Sequence, residues 1–197
     1  MSHEIISVVS CLGQDLADGE LLQLSNVSNP HFSEEIYFDV IRKKTAALFA
    51  ACTKSAALSV NASDEEAEFS RLFGEYIGIC FQIKDDIFDY FESKEIGKPT
   101  GNDMLEGKLT LPVLYALNST NSTWAQEIAV KVKEGIATPD EIGRLVDFTK
   151  SNGGIEYAVK MMKLYKGKAL DLLHSLPPSE VCTALEAYLD YVVDRDK

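Results

Sequence analysis

Apolar residues recur three and four positions apart along nearly the whole chain, and nowhere do they alternate with polar ones over a strand's length. That periodicity admits helices and excludes sheets. Helix starts punctuate it at regular intervals. Ser33 precedes Glu34 and Glu35, an N-cap followed by acids that complement the helix dipole, and opens a helix expected to reach about Val60. Ser63-Asp64-Glu65-Glu66 has the form of a capping box, as does Thr138-Pro139-Asp140-Glu141, which adds proline in the first turn. A first helix from about His3 to Asn26 carries Ile5, Ile6, Val9, Leu12, Leu16 and Leu21 as its expected buried stripe, and Asn29-Pro30 ends it. Pro112 falls in the first turn of a helix ending near Leu117, Asn152-Gly153-Gly154 separates two more, and Leu176-Pro177-Pro178-Ser179 precedes the last. The expectation is one all-α domain over residues 1–197, a bundle of roughly eight helices.

Within the helix that Ser63 opens lies FQIKDDIFDY, Phe81 to Tyr90. Helical spacing puts Asp85 and Asp89 one turn apart on one face, with Gln82 a turn before and Asp86 alongside. A solvated acidic face is the competing reading, since such a pattern alone is weak. Carboxylates this crowded repel one another unless a cation lies between them. Mg²⁺ takes one or two carboxylates together with waters and substrate phosphates. The run GKPTGNDMLEGKLTLP from Gly97 to Pro112 then interrupts the helical pattern, with Lys98 and Lys108 near its ends and Asp103 and Glu106 between. Cations on a loop beside an acidic helix suit a diphosphate that must be held through a metal ion.

The order GxxFQxxDDxxD, GKP, DxxEGKxTLP, here Gly78, Phe81-Gln82, Asp85-Asp86, Asp89, Gly97-Lys98-Pro99, Asp103, Glu106-Gly107-Lys108 and Thr110-Leu111-Pro112, resembles the second aspartate-rich region of trans-isoprenyl diphosphate synthases. IRKKTAALFAAC resembles that family's Lys-Thr helix, with Lys44 and Thr45 at the matching positions, and GQDLADGELLQL resembles the helix before it. GGIEYA, LHSLPPSE and the ending YVVDRDK extend the likeness to the C-terminal helices. The family's first DDxxD motif, its RR sequence and its GGKR-type segment are absent. The resemblance therefore implies an isoprenoid-synthase helical bundle lacking the N-terminal helices, the C-terminal portion of a polyprenyl diphosphate synthase.

That likeness carries expectations for chemistry. It implies a prenyltransferase that binds Mg²⁺ and an allylic diphosphate and extends it with isopentenyl diphosphate. Asp85 would be a direct Mg²⁺ ligand, and Asp86 and Asp89 would act directly or through water. Lys44, Lys98 and Lys108 would hold the allylic diphosphate, and Thr45 and Gln82 would turn oxygen dipoles towards the carbocation. Arg195 and Lys197 match a basic tail, and a homodimer is implied. Apart from the likeness, Lys44 and Thr45 read as an ordinary lysine and a helix-interior threonine, and Phe73, Tyr76, Phe81, Phe88 and Phe91 read as core before they read as a prenyl tunnel. The alternative function is an inactive fragment or a non-catalytic partner subunit. A terpene cyclase also ionises allylic diphosphates, but the GKP and EGKxTLP segments are not expected of one.

Composition narrows the field further. A net charge of −12 argues against a nucleic-acid surface, which needs a basic face, and implies that binding any diphosphate needs Mg²⁺ and locally placed lysines. No apolar run is long enough to cross a membrane, and no charged-then-apolar leader is present, so a cytoplasmic protein is expected. Cys11, Cys52, Cys80 and Cys182 lack metal-site spacing and read as reduced, mostly buried thiols.

Overall fold

The computed structural model describes residues 3–27, 31–91 and 100–195. Among them there are helices and no strands: α1 (His3–Val27), α2 (Glu34–Ile41), a π-helical segment (Arg42–Ala46), α3 (Ala47–Ser59), α4 (Asp64–Phe88), α5 (Asn102–Leu105), α6 (Leu111–Ser119), α7 (Thr123–Lys133), α8 (Pro139–Ser151), α9 (Gly154–His174) and α10 (Glu180–Asp194). The all-α expectation holds, with ten α-helices among the described residues in place of roughly eight. None of them is long and apolar enough to cross a membrane.

The caps form where the residue types demand. Glu66 accepts from the Ser63 amide, while Ser63 Oγ accepts from the Glu66 amide at 3.3 Å. Thr138 and Glu141 make the same reciprocal pair at the start of α8, and Ser33 Oγ accepts from the Ile36 amide. Thr138→Ala is expected to cost about 1 kcal/mol, lowering the melting temperature of the chain by a few degrees in a circular-dichroism melt.

Three departures from the sequence expectation have physical causes. The helix expected from Ser33 to Val60 is not uniform, because a π segment replaces α-helical turns at Arg42–Ala46. The segment after Gly97 is not wholly irregular, because α5 forms within it with its first amides bonded to Asp89, an acceptor distant in sequence that no local pattern announces. The α1 stripe is not buried: Val9 is 58% and Leu21 65% exposed, and Ile6 and Leu16 are also exposed. Helical periodicity defines an apolar face but not what covers it. The cysteine expectation is likewise corrected, for Cys11 and Cys52 lie on exposed positions of α1 and α3 and only Cys80 is buried, its thiol pushed up to about 12 by burial.

The chain divides into two compact units: residues 1–21, 39–82 and 161–197 form the first, and residues 22–38 and 83–160 the second. In the first, Phe73, Ile77, Ile79 and Cys80 on α4, Met162 and Leu173 on α9, and Leu189 and Val192 on α10 are buried. Two glycines bring α4 against α3. A Cβ on Gly74 would lie 2.5 Å from the Phe49 carbonyl oxygen, and one on Gly78 would lie 2.5 Å from the Ala46 Cα. On a helix these positions share a face with Gln82. In the second unit α6, α7 and α8 surround a core of Leu117, Ile128, Val132, Ile142, Leu145 and Val146, with Tyr90 and Met104 packed into it.

Candidate functional site

In the first unit, the approach permitted by Gly74 and Gly78 sets the π segment beside α4. Thr45 Oγ1 donates to Gln82 Oε1 at 2.7 Å. A threonine inside a regular helix commonly bonds back to its own preceding turn; this one reaches across to another helix. π segments are frequent at functional sites because they redirect side chains that an α-helix would aim elsewhere. Lys44 Nζ forms an ion pair with Glu20, and the neighbouring Lys43 pairs with Asp18 at 3.4 Å. Gly19 makes the approach of α1 possible, for a Cβ there would lie 2.8 Å from Lys43 Cβ. Glu20 is half exposed, so a phosphate oxygen could replace its carboxylate on Lys44 at little cost. Phe81, beside Gln82, packs against Phe49 at 5.4 Å and lies 4.1 Å beneath the guanidinium of Arg195, which also donates to the Phe81 carbonyl at 3.1 Å. The tail as far as Arg195 is thus pinned to α4. Lys197 lies outside the described residues. Of the α4 aromatics, Phe73 is buried and Phe91, just beyond the helix, is exposed.

The carboxylates occupy the second unit, and they divide by face. Asp85 and Asp89 are half-buried, whereas Asp86, a third of a turn round the helix, is 3% exposed. Asp86 Oδ2 accepts from the Tyr37 hydroxyl at 2.6 Å. Tyr37 itself is buried, and burial, followed by the Asp86 charge, raises its phenol well above the ordinary value. Asp89 accepts from the amides of Asn102 at 2.9 Å and Asp103 at 3.1 Å. Burial, and after it the charge on Asp89, push the Asp103 carboxyl up to about 6 against the pull of Lys108. Lys108 Nζ lies 2.5 Å from Glu106 and 4.0 Å from Asp103. The Tyr90 hydroxyl is buried without a hydrogen bond; Thr110 is close enough to influence its acidity but does not meet hydrogen-bonding geometry. Its phenol is raised first by burial and then by the charges of Asp86, Asp89 and Asp103. Lys98 lies outside the described residues.

Among the described residues, no three His, Cys, Asp or Glu side chains gather closely enough to hold a metal ion by themselves. The donors are nonetheless of the right chemistry for a hard divalent cation. They are carboxylate oxygens, the charge on Asp89 adds to burial in raising the Asp103 carboxyl, and Mg²⁺ completes its shell with water and phosphate.

Known proteins agree with this architecture. The sequence model of the polyprenyl synthetase family matches residues 1–148. The chain belongs to that family. It is 33% identical over 99% of its length to the octaprenyl diphosphate synthase of Haemophilus influenzae and covers 59% of that protein. The crystal structure of geranylgeranyl pyrophosphate synthase from Bacteroides thetaiotaomicron matches with a TM-score of 0.95 and 72% identity, over 98% of this chain and 64% of that one. A polyprenyl synthase from Caulobacter crescentus, crystallised with calcium and isoprenyl diphosphate, matches with a TM-score of 0.90 and 29% identity, over 100% of this chain and 60% of that one. The chain thus spans about six tenths of the length of these family members. Tyr37 is the residue sequence reasoning missed. Its only signal is a polar-tipped ring within the otherwise apolar IYF of α2, and its partner is distant in sequence.

Proposed function

We propose that this chain is a prenyltransferase module of isoprenoid biosynthesis, binding Mg²⁺ and an allylic diphosphate for elongation with isopentenyl diphosphate. The observation that carries the reading is the placing of Asp103 against Asp89, one turn after Asp85: the Asp89 carboxylate accepts the Asp103 amide at 3.1 Å. Burial, and after it the charge on Asp89, hold the Asp103 carboxyl at about 6, an arrangement that favours an arriving divalent cation. Asp85 and Asp89 would hold that cation, with Asp86 adding negative charge from the protein side. When bound, Mg²⁺ supplies positive charge that stabilises the departing diphosphate. Lys108 and Lys98 would grip the phosphate oxygens, and Lys44 would do so after releasing Glu20. Thr45 gives its proton to Gln82, so its lone pairs remain available to a developing cation without forming a covalent bond to it. The family's homodimer is carried over as part of the proposal.

A second reading, a portion that binds diphosphate without turnover, draws on the lack of a three-ligand group among the described residues. Incorporation of labelled isopentenyl diphosphate, with an allylic primer and Mg²⁺, separates the two. Turnover above a metal-free control is the expected outcome. Its absence, with Mg²⁺-dependent binding of inorganic diphosphate retained, would establish the second reading.

A further inference from the structure

Asp86 is an anomaly for packing. A carboxylate 3% exposed, beside Asp85 in sequence, costs stability that an apolar side chain at the same position would not. It is held instead by a phenol from another helix. The Tyr37 ring is buried on α2, sits edge-on to Phe38 at 5.3 Å, and places its hydroxyl 2.6 Å from Oδ2. Hydrogen bonds to an ionised acceptor are short and strong and leave the acceptor little rotational freedom.

We infer that Tyr37 is a positioning residue for the cation site, holding the Asp86 carboxylate in one orientation through its hydroxyl. This rests on the proposed reading of the α4 carboxylates. Groups that orient the residues around a metal commonly change its affinity 10- to 100-fold when removed, without touching the ion.

The test is a Mg²⁺ titration of the chain in the presence of inorganic diphosphate, followed by isothermal calorimetry. Tyr37→Phe keeps the ring and removes the hydroxyl, and is expected to raise the half-saturating Mg²⁺ concentration by about 10-fold or more. Tyr157→Phe is the matched control, since its hydroxyl also donates to a carboxylate on α2, that of Glu34 at 2.8 Å. It is expected to leave the half-saturation within about twofold, as a bond with no role at the cation site should. In an Asp86→Asn background Tyr37→Phe is expected to add almost nothing, because residues acting through one bond are not additive. Should Tyr37→Phe fail to fold, 3-fluorotyrosine at position 37, which keeps the ring and alters only the strength of the hydroxyl donor, must shift the half-saturation while the same replacement at position 157 does not. An unshifted Tyr37→Phe, or equal shifts in both tyrosine variants, would overturn the inference while Asp85→Ala still abolishes binding. Wild-type binding by Asp85→Ala would instead bring down the reading of the carboxylates, and the inference with it.

Discussion

Asp85→Ala is expected to abolish Mg²⁺-dependent binding of inorganic diphosphate while the helical circular-dichroism spectrum stays unchanged. Asp85 lies half-buried one turn before Asp89, so the variant removes a carboxylate from the face proposed to meet the cation. Losing one member of a desolvated charge pair costs ~2.7 kcal/mol or more, which is at least roughly 100-fold in affinity. The helix itself tolerates the change, since alanine is the better helix former. Retained diphosphate binding would remove the α4 carboxylates from the site.

The second large effect is on stability. Gly78→Val is expected to destabilise the chain by about 3 kcal/mol, lowering its melting temperature by roughly 6–12 °C. The added Cβ would fall 2.5 Å from the Cα of Ala46, and backbone cannot swing aside as a long side chain can. Separating α4 from the π segment also parts Gln82 from Thr45, so the cost appears in the site as well as in the fold. Gly167, inside α9, supplies the contrast, since a Cβ there meets nothing within 4 Å. Gly167→Ala should raise the melting temperature, because alanine in a helix interior is favoured over glycine by roughly 0.5–1 kcal/mol. Equal behaviour of the two variants would mean that the close approach at Gly78 matters little.

Local chemistry was legible in the sequence, and distant chemistry was not. The Ser63 and Thr138 caps form as their residue types demand because both partners lie within one turn. The pairing of Asp85 and Asp89 on one helical face follows from spacing alone. The same spacing turns Asp86 inward, a consequence that only the burial around it makes visible. The π segment lacks a local signal, for Arg42 to Ala46 contains nothing that a regular helix would refuse. α5 begins where Asp89 accepts its first amides, a cap that no window of neighbouring residues contains. The apolar stripe of α1 was visible, but its exposure in this chain was not.

The double engagement of Asp89 gives this chain a reciprocal relation that neither partner alone would have. Its carboxylate receives the leading amides of α5, and its own carbonyl receives the amide of Gly101. Any ion that draws on the same oxygens changes the free energy of that short helix. By thermodynamic necessity, whatever stabilises or loosens the helix changes the affinity for the ion by the same factor. Asn102 to Leu105 can then serve as a built-in gauge of occupancy, readable from amide hydrogen exchange at Asn102 and Asp103 without observing the ion itself.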